Sequence, residues 1–261
     1  MNTGNSIDSL FRLDGRTALV TGASSGLGRH FALTLARAGA RVAIAARRAD
    51  RLEATRVELE AIGQPAMSVC MDVTDASSVQ AAFAELDKSF GTPDIVVNNA
   101  GVAIFRPALE QSEHDWDTVI DTNLKGAWMV STEAAKRLTA TGRQGAIINI
   151  ASITGARPAG GVAPYCASKA GLIHLTKAMA LEWAAAGIRV NALSPGYIST
   201  ELNHDFLHSE AGERLKKRIP QRRFGAVEHL DGPLLLLASD AGSYMSGTIL
   251  TVDGGHLVSS L

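Results

Sequence analysis

The sequence predicts an α/β fold in which a parallel β-sheet of about seven strands is doubly wound, with helices covering both of its faces. Short apolar, β-branched runs alternate with longer segments of helical period along the chain. That alternation is typical of strand–helix–strand units in a parallel sheet. No repeat, low-complexity tract or linker interrupts the series. We therefore expect residues 1–261 to form a single domain.

Composition excludes several other classes of protein. Of the 261 residues, 46% are hydrophobic and 20% are charged, which suffices for a core and excludes a disordered, collagen-like or coiled-coil chain. Lysine and arginine number 25, and aspartate and glutamate number 26, so the formal net charge is -1. A nearly neutral chain has no overall field that attracts nucleic acid or anionic lipid. We expect neither as a partner.

Seven short apolar runs that alternate with longer segments of helical period are the predicted strands. They are Thr17–Val20, Arg41–Ala46, Met67–Met71, Asp94–Val97, Ala146–Ala151, Ile188–Leu193 and Thr248–Val252.

The helices between these strands have recognisable ends. Ser112 and Asp115 have the spacing of a capping box, and Pro164 stands where the first turn of a helix tolerates proline. Glycines follow three helical segments, as expected where a left-handed residue ends a helix. They are Gly39, Gly63 and Gly187.

The segment around 198–225 fits this pattern least. It is polar, contains His204 and His208 four positions apart, and carries a basic run from Lys216 to Arg218. Polar segments of this kind are often mobile loops beside a site, and we predict a flexible insertion that covers the substrate. Two histidines without a nearby third ligand favour solvated side chains over a metal site, so no metal is expected.

Three features favour a cytoplasmic protein. The first twelve residues lack the continuous apolar stretch of a secretion signal. The leucine run Leu234 to Leu237 is far too short to cross a bilayer. Only two cysteines occur, Cys70 and Cys166, which is too few for a disulfide scaffold. We expect Cys166 to be a small buried side chain rather than a redox group.

A glycine-rich turn directly follows the first strand and leads into an amphipathic helix. It reads Thr21-Gly22-Ala23-Ser24-Ser25-Gly26-Leu27-Gly28. A turn without Cβ atoms lets backbone N–H groups at the helix start approach a pyrophosphate and lets the helix pack closely on the sheet. Glycines also mark ordinary turns. In this position, however, the motif favours dinucleotide binding and a Rossmann-like fold.

The end of the second strand bears on the choice of dinucleotide. Proteins that bind NAD usually place a carboxylate there to accept the ribose 2′-hydroxyl, whereas this chain has Arg47 and Arg48. Two guanidiniums at the positive end of the next helix are unfavourable unless an anion lies between them. A ribose 2′-phosphate would supply that anion. The alternative is a pair of solvated arginines, so NADP(H) is favoured and NAD(H) remains the second choice.

Polar side chains recur where the carboxyl ends of later strands should lie. Asn98 to Gly101 end the fourth strand, Asn123 lies in the next helix, Ser152 ends the fifth strand, and Tyr165 and Lys169 open the following helix. Taken singly, each could be a turn former, a cap or the edge of a core. Tyr165 and Lys169 stand one helical turn apart, so the ammonium should favour phenolate and lower the tyrosine pKa. A tyrosine tuned in this way can exchange a proton near neutral pH.

Taken together, these residues resemble the classical short-chain dehydrogenases/reductases, and the likeness covers nearly the whole chain. The motifs stand in order and at intervals typical of that family. They are Thr21-Gly22-x-x-x-Gly26-x-Gly28, Asp72, Asn98-Asn99-Ala100-Gly101, Asn123, Ser152, Tyr165-x-x-x-Lys169, and Pro195-Gly196 followed by Thr200.

The resemblance implies a role for each matching position. Tyr165 would be the general acid in carbonyl reduction and the base in alcohol oxidation, and Ser152 would hydrogen-bond the substrate oxygen. Lys169 would hold the nicotinamide ribose and lower the tyrosine pKa, and Asn123 would hold a relay water through its backbone carbonyl. The other implied cofactor contacts run along the carboxyl ends of the strands. They are Gly22, Ser24, Ser25, Gly26, Leu27, Gly28, Arg47, Arg48, Asp72, Val73, Asn99, Ala100, Gly101, Pro195, Gly196, Ile198 and Thr200.

One departure from the family pattern concerns the phosphate. Many relatives that use NADP(H) carry a basic residue just before the second motif glycine, where this chain has Ser25. The preference for NADP(H) therefore depends on Arg47 and Arg48 alone.

The resemblance implies an oxidoreductase that transfers a hydride between NADP(H) and a ketone or secondary alcohol. Candidate substrates are a 3-oxoacyl thioester, a sugar-derived ketone or a hydroxylated ring. Two alternatives stay open, an NAD-dependent enzyme of the same family and a protein that senses the nucleotide without turning it over.

The helix after Pro164 is apolar on all sides as far as Ala186, so its outer face should also be covered. We expect a homo-oligomer, and the family's habit is a homotetramer built as a dimer of dimers. Coverage by the chain's own loops is the alternative.

Overall fold

The computed structural model describes residues 7–201 and 203–259. Within those ranges, seven strands form one sheet in the order β3-β2-β1-β4-β5-β6-β7, and every neighbouring pair is parallel. The strands are β1 (Thr17–Thr21), β2 (Arg41–Ala46), β3 (Ala66–Cys70), β4 (Ile95–Asn98), β5 (Gly145–Ile150), β6 (Ile188–Pro195) and β7 (Ile249–Val252).

Helices connect the strands and cover the sheet. They are α1 (Ile7–Leu10), α2 (Gly26–Arg37), α3 (Ala49–Ala61), α4 (Ala76–Ser89), α5 (Glu113–Ile120), α6 (Gly126–Ala140), α7 (Ala163–Trp183), α8 (His204–Leu207), α9 (Glu210–Lys216) and α10 (Asp231–Ala238). The predicted doubly wound parallel sheet is confirmed.

The strands bury side chains on both faces, as their continuous apolar sequences require. Alternate residues of one strand enter different cores, because successive side chains point to opposite faces. Ala18 and Val20 of β1 pack with α2, α3 and α10 in one core. Leu19 of the same strand packs with α4, α6 and α7 in the other. The two cores fix the sheet between its helical layers and thereby fix the positions of the strand ends.

Predicted helix ends agree with the structure. Ser112 and Asp115 form a reciprocal capping box at the start of α5, and Pro164 lies in the first turn of α7. Gly39, Gly63 and Gly187 have φ angles of 107°, 91° and 75°, which L-residues with a Cβ rarely adopt. The helix after Ser112 continues differently from a plain α-helix, because a π-helical turn (Asp121–Lys125) separates α5 from α6.

A buried polar network joins the carboxyl ends of β4 and β5 to two helices. Asn98 Nδ2 donates to Ser131 Oγ and to Asn149 Oδ1, each at 2.8 Å. Asn149 Nδ2 in turn donates to Thr176 Oγ1 of α7 at 2.9 Å. Asn98 Oδ1 is left without a partner among the residues that the structure describes, but the three side-chain bonds fix α6 and α7 relative to the strand ends.

None of the helices in 7–201 and 203–259 combines the length and hydropathy that a membrane crossing requires.

Candidate active site

The carboxyl ends of the strands open into a cleft where the order of the sheet reverses between β1 and β4. Ligands of open α/β sheets bind at this switch point. The cleft has a volume of about 590 Å³. Predicted site residues along its wall are Gly22, Ser24, Ser25, Gly26, Leu27, Arg47, Arg48, Asp72, Val73, Asn99, Ala100, Gly101, Ser152, Tyr165, Lys169, Pro195, Gly196, Ile198 and Thr200.

Two predicted residues lie outside the cleft wall. A Cβ on Gly28 would overlap the carbonyl oxygen of Gly22, so Gly28 lets α2 pack against the turn. Asn123 is buried behind the wall, with 1% of its surface exposed. Both residues support the site from behind.

The glycine turn leaves room for a phosphate because side chains are excluded from it. Gly22 has a φ of 65°, and a Cβ there would lie 2.8 Å from the Cα atom of Ala100. Ser25 is the N-cap of α2, but its side chain accepts no capping hydrogen bond. The first N–H groups of α2 therefore face the cleft without a side-chain cap, and a helix start of this kind binds anions.

Thr21, at the end of β1, and Asn99, just after β4, hold the turn in place. Thr21 Oγ1 accepts hydrogen bonds from the backbone N–H groups of Asn99 and Ala100, both at 3.1 Å. Asn99 Nδ2 donates to the carbonyl oxygens of Thr21 and Gly22 at 3.1 and 3.2 Å. In the sequence Thr21 is recognisable only as a motif position, and its hydrogen bonds to the segment after β4 were not predicted. Its signal is a polar β-branched residue at the end of an otherwise apolar strand.

The end of the cleft beside β2 carries the two arginines. The side chains of Arg47 and Arg48 are exposed and line the same cavity as the glycine turn. Across from them, Asp72 Oδ1 accepts from the backbone N–H and the hydroxyl of Thr74 at 2.9 and 2.7 Å. The uncapped helix start, the Cβ-free turn and the two guanidiniums fit a phosphorylated dinucleotide.

Ser152, Tyr165 and Lys169 meet at the other end of the cleft. Ser152 lies just beyond β5, and Tyr165 and Lys169 lie in the first turns of α7. Ser152 and Tyr165 line the same end of the cleft, and Ser152 Oγ accepts from the backbone N–H and the hydroxyl of Thr154 at 3.2 and 2.9 Å. Lys169 Nζ lies 5.5 Å from the Tyr165 ring centroid and donates to the carbonyl oxygen of Ile150 at 2.7 Å. The predicted convergence of phenol, hydroxyl and ammonium is present.

The pKa of the phenol differs from the sequence prediction. Burial raises the pKa of Tyr165, and the Ser152 hydroxyl offsets this only in part. Burial also lowers the pKa of Lys169 to about 8. The prediction of an acidified tyrosine is wrong for the protein alone, because removing the phenol from water opposes its ionisation more than its neighbours favour it.

Asn123 lies in the π-helical turn between α5 and α6. Its Oδ1 accepts from the backbone N–H of Val102 at 2.8 Å, and its Nδ2 donates to Val102 O and Ser168 Oγ at 2.9 and 3.1 Å. These bonds link the π turn to the loop after β4 and to α7. π turns are rare and often occur at functional sites.

The loop after β6 contributes Ile198, Thr200 and Asn203 to the cleft wall. Thr200 N donates to Asn203 Oδ1 at 2.9 Å, and Asn203 Nδ2 donates to Ile198 O at 2.8 Å. Sequence reasoning missed Asn203, although the three-residue spacing from Thr200 is typical of a side chain that organises a turn. His204 and His208 stack with ring centroids 4.1 Å apart. No cluster of three metal-ligating side chains occurs among the residues described.

The chain matches known proteins over most of its length. A family model described as enoyl-(acyl carrier protein) reductase matches residues 22–256. D-threitol dehydrogenase from Mycolicibacterium smegmatis is 40% identical over 253 residues, covering 97% of each chain. A 3-oxoacyl-(acyl-carrier-protein) reductase from Staphylococcus aureus is 41% identical over 241 residues, covering 92% of this chain and 97% of its own.

A solved structure agrees in fold as well as in sequence. It is a gluconate 5-dehydrogenase from Burkholderia cenocepacia in complex with NADP and tartrate, with a TM-score of 0.94 and 36% identity, covering 98% of this chain and 100% of that one. The fold, the ordered motifs and these relatives agree, and the chain belongs to the classical short-chain dehydrogenases/reductases, a family of oxidoreductases.

Proposed function

We propose that the protein interconverts a secondary alcohol and a ketone, with Tyr165 moving the proton. The observation that supports this most directly is the meeting of Ser152, Tyr165 and Lys169 at one end of the cleft. A bound nicotinamide cofactor would supply or accept the hydride at that end. The side chains supply position and proton transfer.

Tyr165 and Ser152 act on the substrate oxygen. The Ser152 hydroxyl orients that oxygen towards the phenol, and the buried phenol, whose pKa is raised, keeps its proton at neutral pH. In reduction the phenol donates this proton as the ketone oxygen gains charge. In oxidation the phenolate accepts the proton of the alcohol.

Lys169 and Asn123 support the proton path. The Lys169 ammonium, held by Ile150 O, places a positive charge near the phenol and would contact the hydroxyls of the nicotinamide ribose. Asn123 would hold a relay water through its backbone carbonyl in the π turn. That water would connect the buried ammonium to solvent.

The cofactor we propose is NADP(H), and NAD(H) is the alternative. Arg47 and Arg48 would bind the 2′-phosphate, and the start of α2 would bind the pyrophosphate. Asp72 and Val73 would contact the adenine. Asn99, Ala100 and Gly101 would line the cofactor, and Pro195, Gly196, Ile198 and Thr200 would hold the carboxamide. The Burkholderia relative, with NADP in its structure, supports this choice.

The substrate we propose is a small polyhydroxylated alcohol or its ketone. A threitol dehydrogenase and a gluconate 5-dehydrogenase are among the relatives. A 3-oxoacyl thioester is the competing substrate, supported by the reductase from Staphylococcus aureus. The insertion around 198–225, which we propose to be flexible within a single domain, would close over either substrate.

A homotetramer, arranged as a dimer of dimers, is the proposed assembly. Two tryptophans of α5 and α6, Trp116 and Trp128, expose 46% and 47% of their surface, and Leu181 of α7 exposes 84%. Exposed large apolar side chains often mark surfaces that bind a partner, and a second copy would cover these three. The two cysteines are free thiols, which supports a reducing, cytoplasmic location.

Steady-state rates test this proposal and separate its competitors. Polyols, sugar acids, simple ketones and a 3-oxoacyl thioester would be assayed with NADP(H) and with NAD(H). We expect turnover of a hydroxylated substrate, faster with NADP(H). Nucleotide binding without turnover of any carbonyl or alcohol would instead identify a sensor, and preferred turnover of the thioester would overturn the substrate assignment.

A further inference from the structure

A cluster of hydrogen-bond donors surrounds Tyr197, next to the cleft. Tyr197 stands between Gly196 and Ile198, which both line the cleft. Its ring packs against the imidazole of His256, with centroids 5.7 Å apart and an interplanar angle of 34°. The cluster therefore adjoins the wall of the cleft.

His256 is a buried histidine with an unsatisfied nitrogen. Only 8% of its surface is exposed, and its Nδ1 is fully buried without a hydrogen-bond partner. A buried donor without a partner costs more than an unpaired acceptor lone pair. The proton of the neutral ring is thus best placed on Nε2. That nitrogen then acts as a donor.

Two guanidiniums stand next to this imidazole. Arg157 Nη1 donates to His256 O and Ser259 Oγ, each at 2.8 Å, which leaves Nε and Nη2 without an acceptor in the described ranges. Arg218 is exposed and stands two residues before Pro220, which packs against Gly255 beside His256. Burial and these two cations lower the pKa of His256, so the neighbourhood is cationic even with the imidazole neutral.

The carboxylate nearest to these donors in the described part of the chain is already hydrogen-bonded elsewhere. Asp253 is the acidic side chain that acts on His256. Its Oδ1 accepts from Gly255 N at 2.8 Å and its Oδ2 from Leu257 N at 2.6 Å. The aspartate is thereby committed to the turn after β7. The Tyr197 hydroxyl likewise has no hydrogen-bond partner among residues 7–201 and 203–259.

We propose that His256, Arg157, Arg218 and the Tyr197 hydroxyl bind a carboxylate of the substrate, on a carbon remote from the reacting one. A carboxylate accepts several hydrogen bonds and carries the charge that this donor cluster lacks. The substrate class is then a hydroxylated or keto sugar acid. This inference rests on the proposed function and narrows its substrate.

Equilibrium binding tests the proposal without requiring turnover. D-gluconate and the uncharged D-glucitol would be titrated calorimetrically into the protein with NADP⁺ present. We expect gluconate to bind at least about tenfold more tightly than glucitol, since a hydrogen bond to a charged group is worth that much or more. Equal affinity for the two compounds would overturn the proposal.

Variants then locate the carboxylate. Arg218→Gln removes an exposed cation, and His256→Phe keeps an aromatic ring against Tyr197 while removing both nitrogens. Each should weaken gluconate binding about 10-fold and leave glucitol unchanged. Lys217→Gln is the matched control, because it removes a neighbouring exposed cation, and both affinities should stay unchanged. If Lys217→Gln weakens gluconate binding as much as Arg218→Gln, the effect is general surface charge and the proposal fails.

The proposed activity and the proposed carboxylate site can be refuted separately. Selective gluconate binding without any hydride transfer would refute the proposed activity and support the carboxylate site. Turnover of neutral alcohols, with no preference for acids in any variant, would do the reverse.

Discussion

Lys169 Nζ donates to the carbonyl oxygen of Ile150 at 2.7 Å while lying 5.5 Å from the centre of the Tyr165 ring. The backbone of β5 therefore holds the ammonium near the phenol rather than against it. Burial lowers the lysine pKa to about 8 and raises that of the tyrosine. At neutral pH both groups keep their protons, so the protein is prepared to donate one.

Replacing Tyr165 by phenylalanine should remove turnover and preserve cofactor binding. The change deletes the proton-donating hydroxyl and keeps the ring that packs at the start of α7. We expect kcat to fall by about 10²- to 10⁴-fold, the usual contribution of general acid catalysis. The dissociation constant for NADPH, measured by fluorescence titration, should change little. Unchanged turnover would show that another group donates the proton.

Ketone reduction should lose rate as the pH rises above about 8. Lys169 has a pKa of about 8 and is positively charged only below it. Above that pH the phenol loses the cation that stabilises its conjugate base during proton transfer. The pH profile of kcat/KM, which reports groups of the free enzyme, should be flat from pH 6 to about 7.5 and then decline. A profile that rises through pH 8 would contradict this assignment.

The buried ammonium should also affect stability. The Lys169 pKa falls from 10.5 in the unfolded chain to about 8 in the fold, so between these values the unfolded chain binds more protons. Stability therefore rises with pH across this window, by about 3 kcal/mol for this group when complete. Lys169→Met lacks the titration. The free energy of unfolding in urea, measured at pH 7 and pH 10, should increase more with pH for wild type than for the variant. A difference that is the same at both pH values would mean that the lysine pKa is normal.

The arginine pair should set cofactor choice. Arg47→Ala combined with Arg48→Ala removes the guanidiniums proposed to bind the 2′-phosphate. We expect the KM for NADPH to rise about 10- to 100-fold, as for loss of a charged hydrogen bond, and the KM for NADH to stay within about twofold. Arg51→Ala, an exposed arginine of α3, is the control and should change neither. Equal shifts for both cofactors would mean that the pair is merely solvated.

A charge placed on the exposed apolar surface should reduce the assembly. Trp128 is 47% exposed on α6, and Trp128→Glu would place a carboxylate where a second copy is proposed to pack. Sedimentation should show a smaller species than wild type. Lys136→Glu, farther along α6, is the control for added negative charge. If wild type sediments as a monomer, the oligomer proposal is wrong.

The sequence predicts the scaffold well because the scaffold follows local rules. Apolar runs such as Arg41–Ala46 read as buried strands without any knowledge of their neighbours, and β2 has those same bounds. The capping box at Ser112 is likewise a local pattern. The site could be predicted only as a set of motifs, since the order of strands brings its members together from distant positions.

What escaped prediction depends on packing between distant segments. The pKa of Tyr165 rises because of burial that the Tyr165 and Lys169 spacing does not reveal. His256 contacts Tyr197 and Arg157, which are 59 and 99 positions away in the chain. No window of sequence contains such contacts. Asn203, by contrast, organises a local turn, and its three-residue spacing from Thr200 is a pattern that the sequence contains.

The contact between Thr21 and Asn99 has a consequence for how the protein matures. It joins residues 78 positions apart, so the cradle for the pyrophosphate is complete only after β4 has docked beside β1. Nucleotide affinity should therefore emerge late in refolding, and a nascent chain that ends before β4 should lack it. Capture on an immobilised nucleotide would then report that β4 has docked beside β1.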